Sequence, residues 1–157
     1  MIDRRPIKYH IVQLGDLDRG RFENALGLAE QIQSAFEFDM QPEPLPIPPR
    51  KFRLKNGAYD IDSYTRESSE ISKLSRPCIL VTSMPYGDRD TGHIPDYFYF
   101  GELGFLNGIA VISTYLWEHE GRHPELAPYV LLMLATAVLG DKARADLQFH
   151  ERTEGCL

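Results

Sequence analysis

The stretch Leu126-Ala-Pro-Tyr-Val-Leu-Leu-Met-Leu-Ala-Thr-Ala-Val-Leu-Gly140 decides how this chain is read. Leucine, alanine and methionine favour a helix, Pro128 suits a first turn and Gly140 suits an end. Apolar side chains fill nearly every position from Val130 to Leu139, so the spacing predicts a helix over about 126–139 that is buried on most sides. Such a helix needs layers around it. Upstream, Pro77-Cys-Ile-Leu-Val-Thr82 is a continuous apolar run with β-branched residues, the pattern of an internal strand. Ile7–Leu14, Tyr97–Phe100 and Gly108–Thr114 read as further strands. Phe22, Ala25, Leu26, Ala29, Ile32 and Phe36 recur at helical spacing and predict a helix over 21–36, with Asp18 as its cap.

Between these elements, Met40–Pro49 carries five prolines and reads as an edge strand or a polyproline-like extended segment. Lys51–Asp62 reads as a small hairpin turning at Asn56-Gly57, and Thr65–Leu74 as a polar helix. Strands alternating with helices predict an α/β (α+β) fold, a single domain over 1–157 with a mixed sheet and helices packed on it. No internal repeat or low-complexity segment interrupts it.

At 157 residues, with 43% hydrophobic and 25% charged residues, the chain can bury a core without staples. The net charge of −6 and the lack of a basic run argue against a nucleic-acid partner. The longest apolar run is too short to span a bilayer, and no secretory signal follows the charged N-terminus, so a cytoplasmic protein without membrane contact is expected. Two cysteines, Cys78 and Cys156, make no disulfide framework. Cys78, inside a strand-like run, reads as a reduced core residue.

His119-Glu-Gly-Arg-His123 is a literal HExxH. That pattern places two imidazoles one helical turn apart to bind zinc, and its glutamate takes a proton from the metal-bound water. Gly121 and Pro124 weaken helix at this place, and Leu126 and Tyr129 stand where the longer metzincin motif has glycine and histidine. A solvated loop ahead of the apolar helix is the competing reading. Under the zinc reading His119 and His123 are ligands, His150 is a third and Glu120 is the catalytic base.

The run Cys78-Ile-Leu-Val-Thr82, then Tyr97-Phe-Tyr-Phe-Gly-Glu-Leu-Gly104, then Gly108-Ile-Ala-Val-Ile-Ser113, then an apolar helix, resembles the order of elements in archaemetzincin-type zinc metallopeptidases. That family carries HExxHxxGxxHCxxxxC on and after its central helix. His150-Glu-Arg-Thr-Glu-Gly-Cys156 keeps the motif's last histidine and last cysteine at matching separation. The resemblance therefore implies that His150 stands at the third catalytic-zinc position and Cys156 at a structural-zinc position. It also shows what has changed. Tyr129–Thr136 occupies the helix of the paired histidines, Glu151 replaces a cysteine, and 141–148 lengthens the link. The resemblance thus implies a zincin-like scaffold without its metal-activating helix. Such a domain is expected to be non-catalytic, to bind no cofactor and to serve as a protein-interaction or regulatory module. The alternative is a zinc-dependent (Zn2+) peptidase using 119–123.

Other groups are thinner candidates. His93 lies between Asp90 and Asp96 in a glycine-rich loop; Asp60, Asp62 and Glu67 read as a solvated face that could hold a hard cation. Ser83 and Ser113 end strands, where nucleophiles are often placed, but neither lies in a Gly-x-Ser-x-Gly elbow.

Overall fold

The computed structural model describes residues 5–87, 89 and 109–115. They contain strands β1 (Ile7–Gln13), β2 (Phe36–Met40), β3 (Cys78–Thr82) and β4 (Ile109–Ser113), and helices α1 (Arg19–Gln31), α2 (Ile61–Glu67) and α3 (Ser69–Ser72). A 3-10 turn spans Arg50–Phe52. The fold is α/β, as expected. The four strands form one sheet in the order β2-β1-β3-β4, and every ladder among them is parallel. The expected strand at 97–100 and the apolar helix at 126–139 lie outside the described residues.

The layer arrangement follows from alternation along the strands. Tyr9 and Ile11 of β1, Ile79 and Val81 of β3, and Ala110 and Ile112 of β4 share one face, and α1 packs there through Phe22, Ala25, Leu26 and Ala29. Val12, Cys78, Leu80, Ile109 and Val111 point the other way, against Phe52, Ile61, Tyr64 and Ile71. Residues one apart on a strand face opposite sides, so β3, buried along its whole length, is apolar from Cys78 to Val81, and only its last residue, Thr82, is polar. Handedness accounts for the split. From β1 the chain steps outward to β2 through α1; it then steps back past β1 to β3 through α2 and α3. A right-handed crossover taken in the reverse direction puts its helices on the opposite face.

Three sequence expectations are corrected in detail. The helix predicted to Phe36 stops at Gln31, because Phe36 is captured by the sheet: it sits in register with Ile7 and its ring meets Tyr9 edge-on, 6.1 Å away. The extended segment therefore begins earlier than expected. The proline run continues β2 as extended chain, bridging Leu45 to Leu14. At Asn56-Gly57 there is a turn, with Gly57 at φ +88°, and its arms pair antiparallel at Arg53 and Tyr59, flanked by bonds from Leu54 N to the Ala58 carbonyl and from Asp60 N to the Phe52 carbonyl, both 2.8 Å, so the hairpin is present but is only one bridge long. The polar helix starts four residues early at Ile61 and breaks at Ser68, whose extended backbone and hydroxyl, accepting from Ile71 N at 3.3 Å, start α3 instead.

Candidate functional site

Parallel α/β sheets bind ligands beyond the carboxyl ends of their strands, at the point where neighbouring strands send their connections in opposite directions. Here that point lies between β1, which leads to β2, and β3, whose sheet neighbour on the far side is β4. The residues at this edge are Leu14–Asp18 after β1, Thr82–Gly87 after β3, and Ser113–Tyr115 at the end of β4.

The first loop is set by Gly15 and Asp18. Gly15 adopts φ +62°, a left-handed conformation that glycine takes without a Cβ clash, and its N–H donates to the Leu45 carbonyl at 2.9 Å. Asp18 caps α1, accepting from Arg21 N at 3.2 Å, as its position before the helix predicts. The second loop is tied to the first. Ser83 donates both its N–H, at 2.7 Å, and its hydroxyl, at 2.9 Å, to the carbonyl of Asp16. Met84 and Ile47 fill the space above Gly15, so tightly that a Cβ there would lie 2.9 Å from Met84 Sδ and 3.1 Å from Ile47 Cγ1. Among the described residues, the crevice is filled at Gly15 by Met84 and Ile47.

The third loop is tied to the second in the same manner. Ser113 Oγ donates to the Met84 carbonyl at 2.7 Å, and Thr114 N donates to the Thr82 carbonyl at 2.9 Å. Thr82 Oγ1 accepts from Met84 N at 3.1 Å. The strand-end hydroxyls of Ser83 and Ser113, candidate nucleophiles by position, thus donate to main-chain carbonyls and hold adjacent loops together.

Beside this edge sits a carboxylate that the sequence places on a solvated face. Asp60 is 3% exposed. It caps α2, accepting from Ser63 N at 3.0 Å and from Ser63 Oγ at 2.7 Å, and it also accepts from Arg89 Nε. Burial pushes its pKa up, but the donors from Ser63 and Arg89 outweigh burial and hold it below the ordinary carboxylate value. Of its expected companions, Asp62 lies in the first turn of α2 and Glu67 pairs with Lys51 at 2.7 Å, so the three do not form one oxygen cage. Among the described residues no group of three or more histidine, cysteine, aspartate or glutamate side chains converges as a metal site would require. His119, Glu120, His123, His150 and Cys156, and also His93, lie outside the described residues.

No family model, curated protein or solved structure matches this chain.

Cys78 is a free cysteine. Its thiol is buried at the start of β3, and burial pushes its pKa up to about 12, with Arg76 pulling weakly the other way. The thiolate is the reactive form, so this sulfur is inert in the folded protein. Brief treatment with iodoacetamide at pH 8, read by peptide mass spectrometry, is expected to leave Cys78 unlabelled in native protein and to label it fully in denaturant. The expected role as a reduced core residue fits this environment.

Proposed function

We propose that this chain is a non-catalytic, metallopeptidase-like domain that works as a protein-interaction or regulatory module of a larger assembly. The observation that carries this reading is the close packing around Gly15, among the described residues, in the crevice between β1 and β3. Where an α/β enzyme would keep its reacting groups open, Met84 and Ile47 press on Gly15, and Ser83 is spent on the Asp16 carbonyl. The zincin-like part of the proposal rests on the sequence resemblance; of its four segments β3 and β4 are strands, and 97–104 and the apolar run from Leu126 lie outside the described residues. The sequence supports the loss of catalysis, since Tyr129–Thr136 carries none of the paired histidines. A cytoplasmic location without nucleic-acid contact belongs to the same reading and rests on the charge of −6 and the buried free Cys78 thiol. Among the described residues no helix is long and apolar enough to cross a membrane.

One observation favours the zinc alternative. β4 delivers the chain to Tyr115 at the carboxyl edge, and His119-Glu-Gly-Arg-His123 follows directly in sequence. Elemental analysis of purified protein separates the two. The proposal expects zinc far below one atom per chain and no change on His119→Ala or His123→Ala. One zinc per chain, lost in those variants, together with peptide hydrolysis abolished by Glu120→Gln, would overturn it in favour of a peptidase.

A further inference from the structure

Strand β2 ends the sheet among the described residues, and its outer side is closed in an unusual way. Asp39 and its odd-numbered neighbours turn their main-chain groups toward β1, as the bond from Gln41 N to the Ile11 carbonyl at 2.8 Å fixes. Phe36, Phe38 and Met40 therefore turn theirs outward. The Gln33 side-chain amide meets Phe36 as a peptide group of a neighbouring strand would: its Oε1 accepts from Phe36 N at 2.8 Å, and its Nε2 donates to the Phe36 carbonyl at 2.9 Å. Glu30, in the last turn of α1, accepts from Phe38 N at 2.9 Å. Two side chains thus stand where a fifth strand would pair.

We propose that Glu30 and Gln33 are edge guards, and that the surface they close is a strand-pairing site whose occupant is β2 of a second copy of this chain. An open strand edge is a template for another strand, and proteins block it with charges or local covers. The composition of β2 suits self-pairing. In an antiparallel pair centred on Phe38, each Phe38 faces its counterpart and each Phe36 faces Met40, the aromatic and apolar matches that stabilise adjacent strands. On the other face Glu37 falls opposite Asp39 of the second copy, a like-charge pair that works against association, in part offset because Lys8 pairs with Asp39 at 2.9 Å. The guards and this repulsion act in the same direction.

The Glu30→Ala/Gln33→Ala double variant tests the proposal by sedimentation velocity over a concentration series. A variant with native far-UV circular dichroism is expected to associate more strongly than wild type. Adding Glu37→Lys, which replaces the repulsion by attraction, is expected to strengthen association further. Adding Phe38→Pro, which removes the outward N–H without touching the ladder to β1, is expected to return the assembly state to that of wild type. A folded double variant that sediments as wild type does at every concentration overturns the proposal. If the double variant does not fold, hydrogen exchange on the wild-type protein decides: the Phe36 and Phe38 amides are expected to be protected well beyond unbonded amides, and free exchange at both overturns it.

Discussion

Replacing Leu80 with alanine is expected to lower the unfolding free energy by about 3–5 kcal/mol, the upper part of the range for emptying a packed leucine site. Leu80 lies at the middle of β3, the strand paired on both sides, and is 0% exposed among Val12, Ile71, Ile109 and Val111. The strand is tied by its ladders to β1 and β4, so the surroundings have little freedom to collapse into the vacated volume. Domains of this kind are held by only about 5–15 kcal/mol, and the substitution would remove a large share of that. Leu28→Ala is the matched control. At 52% exposed on α1, Leu28 should change stability by about 0.5 kcal/mol or less. Urea melts check both, with the Leu80 variant showing a lower midpoint at an unchanged slope. A loss below about one kcal/mol at Leu80 would mean that β3 is not the centre of the sheet.

Strand β3 is also where sequence reading works best. A strand buried on both faces calls for apolar residues nearly throughout, and Cys-Ile-Leu-Val meets that demand without information from elsewhere in the chain, with only the end residue Thr82 polar. β1, β4 and the Asp18 cap are legible for similarly local reasons. Phe36 is not. Its spacing from Ala29 and Ile32 continues a helical stripe, yet Ile32 is left exposed and Phe36 joins β2, because pairing with Ile7 and the edge-on contact with Tyr9 are contacts across the chain that periodicity does not register. The clue was the alternation Phe36-Glu-Phe-Asp-Met40, one apolar face at period two, partly hidden behind the prolines that follow. The packed crevice is illegible for a related reason. Ser83 reads as a strand-end nucleophile, and only the fold brings it against the Asp16 carbonyl, 67 residues away in sequence. The metal motif at 119–123 is a fact of sequence whose chemistry rests on residues outside those described.

Asp60→Ala is the second large effect, at about 2–4 kcal/mol. Sequence reading gives an aspartate in a polar stretch a solvated place, since buried carboxylates occur mostly where a partner is present. Here the partners are Ser63, three residues on, and Arg89, 29 residues on. Removing the carboxylate deletes an N-cap, for which about 1–2 kcal/mol is usual, and leaves the Ser63 hydroxyl without its charged acceptor. The Arg89 contact adds little, because that side chain is 53% exposed and its attraction is screened. Asp60→Asn, which keeps an oxygen for Ser63 N, should lose about half as much. The same contacts set a pH dependence. Because the folded protein holds the Asp60 pKa below the ordinary aspartate value of 3.8, the unfolded chain binds the proton more readily in the window just below that value. The carboxylate's contribution is therefore fully present above the unfolded pKa and disappears as pH falls through the folded one. Melts from pH 6 down to pH 2 should show Asp60→Asn converging with wild type at the acid end. Two curves that stay parallel throughout would show that folding leaves the Asp60 pKa where it is in the unfolded chain, and that the donors around it only balance burial.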